Sequence, residues 1–250
     1  MTAGLELPHL PATTIGDVVD DLGALRGQLP RGDGARYFNH LYLEVTTEVR
    51  RAVIAREAAD PAFMEALDVA FANAYLAAVV AAQAGPGAAP PAWRPLFEQR
   101  FAKRVAPIQF ALAGVNAHLN YDLPIQIVAT CRARGIGLDD DSPQHRDFER
   151  MADVFQRAEA HAKRWMLTGV LRRLDRVLGH VDDRVAVWSL LRARDAAWTN
   201  ALTLSHLAGA PELAEDFRDA LAHTVGAFGR GLLVPSVPGI QRWADLLRPA

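Results

Sequence analysis

The residues best suited to chemistry lie in the stretch Ala113-Gly114-Val115-Asn116-Ala117-His118-Leu119-Asn120-Tyr121-Asp122-Leu123-Pro124. Asn116, His118, Asn120 and Asp122 occupy every second position of a segment otherwise apolar enough for a core. Burying such groups unpaired costs about 2–7 kcal/mol for a neutral one and more for a charge. They must therefore pair with each other, with other helices or with a ligand. At about 100° per residue, Asp122 lies about 40° from His118, on a face shared with Ala111, Gly114 and Val115. The small residues of that face admit a close neighbour. Asn116 and Asn120 fall at about 160° and 200°, on the opposite face. A helix with polar groups on both sides, yet apolar overall, is predicted to be enclosed on both sides.

Two other segments repeat the theme. Tyr37, His40 and Glu44 run along one line of a helix, flanking an apolar stripe of Phe38, Leu41, Val45 and Val49. Between Ala66 and Ala82 the polar groups are Asp68, Asn73 and the Tyr75 hydroxyl, and Asp68 and Tyr75 share a face. Imidazole and carboxylate one turn apart on facing helices are how bundles build metal sites. His118, Asp122, His40, Glu44 and Asp68 would suit a divalent zinc, iron or manganese ion, with Asn or Tyr holding a second imidazole nitrogen. Without a metal, His118 held by a carboxylate is a general base, with His40 as a further catalytic candidate. Tyr37, Asn73, Tyr75, Asn116 and Asn120 would then contact a small-molecule substrate. A third reading is a purely structural network, because buried polar groups need partners in any fold. The residues leave all three open.

Weaker candidates surround these. Asp139-Asp140-Asp141 resembles the aspartate-rich motif of terpene cyclases, but it sits beside Pro143 with no second metal-binding motif and reads as a solvated turn. His145 and Asp147 belong to the first turn of a helix, where Asp favours the helix dipole. His161 with Trp165, and Arg194-Asp195 with Trp198, read as packing and as a partly buried ion pair. No phosphate-binding glycine loop and no Gly-x-Ser-x-Gly elbow occurs. The single Cys131 has no His nearby, which argues against a thiol nucleophile.

The elements that must position these groups are helical throughout. Strand alternation is nearly absent. Thr14 caps a helix to about Leu29, and a second runs from about Ala35 to Ala58. Asp60-Pro61 opens a third to about Gln83, and a short one spans Pro95–Phe101. Pro107 opens the central helix, which should bend or stop before Pro124 and resume to Arg134. Long helices follow at His145–Leu178, Asp182–Leu207 and Pro211–Phe228. A turn-rich connection at Gly229–Pro238 precedes a last helix at Ile240–Leu247. The prediction is an all-α, single-domain bundle of about eight helices with a buried central helix, covering residues 1–250, with 1–13 and 229–250 peripheral.

Bulk properties exclude several classes. A net charge of −2 gives no electrostatic reason to expect nucleic acid or an anionic membrane. One cysteine permits no intramolecular disulfide, and the N-terminus shows no secretory signal, so a cytoplasmic protein is expected. The apolar Ala66–Ala82 run carries Asp68 and Asn73 and reads as a core helix rather than a membrane span.

Tyr37–Val45, Leu67-Asp68-Val69-Ala70-Phe71-Ala72-Asn73, Trp93-Arg94-Pro95-Leu96-Phe97 and above all Gln109–Pro124 resemble a mainly actinobacterial family of all-α proteins of unassigned function. The resemblance covers roughly residues 30–225 and implies fold rather than activity. A second, local similarity is to the helix of zinc-dependent phospholipase C and single-strand nucleases that supplies two zinc ligands. Gly114, His118 and Asp122 match its Gly-x-x-x-His-x-x-x-Asp pattern. Pro124 comes earlier than in that pattern, and the next histidine and the N-terminal tryptophan ligand are missing, so it implies one or two metals at most. The leading expectation is a helical enzyme of small-molecule metabolism: a metal-assisted hydrolase or an acid–base catalyst. The competing expectation is a non-enzymatic small-molecule-binding protein. The pair expected to react is His118/Asp122, with the two asparagines as struts.

Overall fold

The computed structural model describes residues 5–54, 58–150 and 195–235, and those residues form an all-α protein. Helix α1 (Ile15–Gln28) starts with a capping box, in which Thr14 and Asp17 each bond the other's backbone N–H. Helix α2 (Ala35–Ile54) packs on α1. Helix α3 (Pro61–Ala81) is opened by Asp60, whose Oδ1 accepts the Phe63 N–H at 2.9 Å. Two short 3-10 turns, Ala82–Ala84 and Pro86–Ala88, lead to α4 (Arg94–Gln99). Helices α5 (Pro107–Ala117) and α6 (Leu123–Ala133) follow. The described helical residues at 143–150 (α7) and 195–206 (α8) come next, and α9 (Pro211–Leu232) comes last.

The central helix does not stop before Pro124. A π-turn over His118–Asp122 joins α5 to α6 without a break, and the Leu123 N–H bonds the His118 carbonyl five residues back. Proline has no N–H to give, and its ring collides with the carbonyl four residues earlier in a regular helix. One widened turn relieves both conflicts, so of the predicted bend or stop the helix takes no stop and continues into α6. α5 then packs against α2 on one side and α9 on the other, while α6 packs on α3. The central helix is enclosed on both faces, as its polar pattern requires.

The other boundaries differ less. α2 is described to Ile54 and α3 ends at Ala81, with the 3-10 turn completing its predicted length. α9 runs on to Leu232 rather than ending at Phe228. Gly226 is a packing residue there. A Cβ at Gly226 would meet the Pro91 carbonyl oxygen at 2.5 Å, so only glycine lets α9 lie against that loop. The predicted helix at 240–247, most of those at 145–178 and 182–207, and His161 with Trp165 lie outside the described residues.

The α3 region, Pro61–Ala84, is long and apolar enough to cross a membrane. Its buried face, Phe63, Leu67, Asp68, Phe71, Ala72, Tyr75 and Leu76, is core within the bundle. Asn73 straps the N-terminal segment to this helix: its amide accepts the Ala12 N–H at 2.8 Å and donates to the Ala12 carbonyl at 2.9 Å. Asp147 ties α7 to the start of α3 by accepting the Ala59 and Asp60 N–H groups at 2.8 and 2.7 Å.

The close approach of α2 to the central helix depends on Gly114. A Cβ there would overlap the Phe38 ring, which is buried and hemmed by Tyr75 and Trp93. Gly114→Ala is expected to destabilise the protein by about 1–3 kcal/mol through overpacking, despite alanine's better helix propensity. Urea unfolding of the variant checks this; equal or greater stability would mean that α2 can yield.

Candidate functional site

The site is built on the π-turn. In a regular helix residues four apart are offset by about 40°; the wider turn removes most of that offset. His118 Nδ1 consequently lies 2.9 Å from Asp122 Oδ2. Trp93, carried on the loop before α4, donates its indole N–H to the same oxygen at 3.0 Å. Both members of the pair are buried, at 2% and 4% exposure. Asp122 thus orients the imidazole, and Trp93 orients Asp122.

Five aromatic rings enclose the imidazole. Phe71 of α3 stacks on it, with centroids 3.4 Å apart and planes at 5°. Tyr42 of α2 meets it edge-on at 4.5 Å. Phe38, Trp93 and Tyr75 stand at 5.6, 5.9 and 6.0 Å. Two helices, α2 and α3, and the loop before α4 therefore converge on His118. Its Nε2 is buried and has no hydrogen-bond partner among the described residues.

The electrostatics follow from this enclosure. Burial removes water from every ionisable group and favours the neutral form. It pulls His118 well below the ordinary histidine value. It pushes Asp122 well above the ordinary carboxyl value, against the Trp93 hydrogen bond, which favours the carboxylate. The Tyr42 hydroxyl is raised by burial and then by the nearby Asp68 charge, while Thr46 opposes the shift. Asp68, on α3 one turn before Phe71, is buried, and its Oδ2 has no hydrogen-bond partner among the described residues. Burial, with the Glu65 charge adding, pushes Asp68 up to about 7.

The sequence candidates divide accordingly. His118, Asp122 and Tyr75 come to one enclosure, and Asp68 lies near enough to Tyr42 in its wall to raise that hydroxyl. His40 and Glu44 do not. They lie on the side of α2 away from Phe38 and Tyr42, where Arg26, Arg36 and Glu44 are the charges nearest His40. Burial, then the Arg26 charge, lowers His40. The reason is register: the core-facing line of α2 is Phe38–Tyr42–Val49, about half a turn around the helix from the His40–Glu44 line. Tyr37 stacks on Phe110, at 6.2 Å between centroids. Asn116 donates to the Val225 carbonyl of α9 at 2.9 Å and accepts from Asn120 at 3.1 Å. Asn73 is spent on Ala12. These amides are struts on other faces. Among the described residues, no group of three His, Cys, Asp or Glu side chains is placed to hold a metal ion.

Several members escaped the sequence reading. Tyr42 lies one turn from Phe38, a spacing that was available as a signal. Trp93 stands in a Pro-Ala-Trp-Arg-Pro loop, where nothing local points to Asp122. Asn39 was also missed; it donates to the Leu22 carbonyl at 3.0 Å and accepts from the Tyr75 hydroxyl at 3.4 Å. Beyond this enclosure, Asp139–Asp141 form an exposed turn, and Trp198 donates its indole N–H to Asp140 at 2.8 Å.

A family model described as a family of unknown function (DUF5995) matches residues 15–235. The chain belongs to that family. The match spans every element of the enclosure, from α2 through the π-turn. No curated protein and no solved structure matches the chain.

Asp68 gives a pH signature of this burial. An unfolded chain releases the proton at about pH 3.9, whereas the folded protein holds it to about 7. The folded state therefore binds more protons than the unfolded one across that window. The Asp68 contribution to stability is full below the unfolded value and is lost as pH rises through the window. Asp68→Asn keeps the shape of the neutral acid and removes the titration. Relative to wild type, it is expected to gain on the order of 3 kcal/mol between about pH 4 and 8. Urea unfolding of both proteins at the two pH values measures this, and a pH-independent difference would contradict the assignment.

Proposed function

We propose that the chain is a helical enzyme that uses His118 for acid–base chemistry on a small molecule. The observation that carries this reading is the buried, unpartnered Nε2 of His118, opposite an Nδ1 held by Asp122. Leaving a buried nitrogen without a partner costs about 1–3 kcal/mol. Holding one nitrogen fixes the ring and leaves the other to meet a substrate. Burial keeps the imidazole neutral, so it can take up a proton and hand it on. Asp68, poised at about 7 and acting on Tyr42 in the same wall, is a further group that can exchange a proton near neutral pH. The simplest reaction for this set is hydrolysis of an ester or amide by a water activated at Nε2.

Metal-assisted hydrolysis fits the donors less well. Asp122 Oδ2 already serves His118 and Trp93, and His40 with Glu44 sits on the far side of α2. The aromatic enclosure supports a second reading, a binding protein that holds a small molecule without transforming it.

Turnover of a panel of p-nitrophenyl esters, with circular dichroism as the folding control, tests the first reading. Wild type is expected to hydrolyse at least one ester. His118→Gln is expected to fold and to lose about 10²–10⁴-fold in rate. A folded His118→Gln with full turnover would falsify the assignment of the base. Ligand binding without turnover in the wild type would favour the second reading.

A further inference from the structure

We propose that Trp93 is a positioning residue that sets the tautomer of His118: its indole N–H, seated on Asp122 Oδ2, keeps the proton of the pair on Nδ1 and leaves Nε2 bare to accept another. This rests on the acid–base reading of His118 and names the residue that makes the imidazole a base rather than a donor.

The contact between His118 and Asp122 can be made in two ways. In one, Nδ1 carries the proton and donates to a carboxylate, and Nε2 keeps a free lone pair. In the other, a protonated Asp122 donates to a bare Nδ1, and the proton of the neutral ring sits on Nε2. Only the first makes Nε2 an acceptor. The 2.9 Å separation fits both, and burial by itself favours the second, which carries no net charge. Trp93 separates them. An indole N–H can only donate, and it reaches the same oxygen, Oδ2, at 3.0 Å. In the first arrangement Oδ2 is a carboxylate oxygen that accepts from Nδ1 and from the indole together. In the second it is an acid hydroxyl, already giving its proton to Nδ1, and the indole meets a neutral oxygen. Hydrogen bonds to an ionised acceptor are roughly twice as strong as neutral ones, and exclusion of water strengthens them further. The indole therefore opposes burial and holds the carboxylate.

The packing of Trp93 fixes the direction of that bond. The residue is fully buried. Its ring lies against Phe38, Tyr75 and Phe97, with centroids 5.4, 5.1 and 6.0 Å away. Its backbone N–H and that of Arg94 both bond the Pro90 carbonyl, at 2.8 and 3.2 Å. Arg94 Nε donates to the Ala89 carbonyl at 2.9 Å, and α9 presses on the same loop through Gly226. The donor is thus preorganised on Oδ2 and needs no rearrangement to resist protonation there.

Nitrogen-15 NMR of the full chain, labelled at histidine and with the His118 signals assigned by their loss in His118→Gln, tests the proposal without a substrate. In the wild type, Nδ1 is expected to carry the proton and Nε2 to show the shift of a bare ring nitrogen. Trp93→Phe keeps an aromatic ring and removes the N–H. Trp93→Met, whose flexible side chain repacks more freely, serves where the first variant does not fold. In the folded variant the tautomer ratio is expected to move at least about tenfold toward the Nε2–H form, because a charge-assisted bond is lost. A wild type with its proton on Nε2, or a folded variant with the wild-type ratio, would overturn the assignment. The carbon-13 shift of the Asp122 carboxyl group in the wild type needs no Trp93 variant: that of a carboxylate is expected, and that of a protonated acid would overturn the proposal too. The ester assay judges the acid–base reading separately, since a tautomer that depends on Trp93 stands even where no ester is turned over.

Discussion

Pro124 cannot donate a backbone hydrogen bond, and its ring cannot sit beside the carbonyl four residues earlier. The helix absorbs it with one wide turn at His118–Asp122. That accommodation has two consequences. α5 and α6 remain one continuous rod, so α6 reaches α3 while α5 stays wedged between α2 and α9. The same turn brings the imidazole and the carboxylate into line at hydrogen-bond distance. A cleanly broken helix would have lost the rod.

Around that turn the molecule treats its two sides differently. On the α9 side the amides of Asn116 and Asn120 form a chain that ends on a backbone carbonyl. These bonds hold the rod against α9 and are complete in themselves. On the α2–α3 side the rings of Phe38, Tyr42, Phe71, Tyr75 and Trp93 shut out water. Each such ring contributes roughly 1.5–3 kcal/mol of burial, which supports the cost of enclosing Asp68, Asp122 and His118. Exclusion of water also sets their resting protonation: burial raises both acids and keeps the imidazole neutral. Gly114 lets this aromatic layer lie directly on the rod.

Much of this was legible in the residues themselves. The separation of His118/Asp122 from Asn116/Asn120 follows from helical periodicity, and the small residues beneath His118 announce the approach of a neighbour. Thr14 and Asp60-Pro61 mark helix starts by their capping chemistry alone. The π-turn was not legible, because proline in a helical pattern is equally compatible with a stop, a kink or a widened turn until the packing on either side is known. Trp93 was hidden for a related reason: it joins Asp122 through space from an irregular loop, and no periodicity applies to loops. The misplacement of His40 and Glu44 has another cause. α2 carries polar groups on several faces, including the buried Asn39 and Thr46, so hydrophobicity alone does not identify its core line.

A purely structural account of the His118 cluster has to explain an asymmetry in how this chain spends its buried polar groups. Asn39, Asn73 and Asn116 each use both ends of the amide, with every partner but Asn120 on another element. Asp33 uses its carboxylate on Arg100 and on the Ala35 N–H, and Asp147 uses both oxygens on backbone amides. Even Asp21, with one oxygen unpaired, spends the other on the His9 N–H at 3.0 Å. The same fold leaves His118 Nε2, Asp68 Oδ2 and the Tyr42 hydroxyl without a partner among the described residues, along with the Thr46 and Thr130 hydroxyls, so openness at His118 is one of several and gains its weight from the imidazole's orientation by Asp122. If the cluster served stability alone, an apolar residue in place of Asp68 would remove a desolvation cost at no loss of bonding.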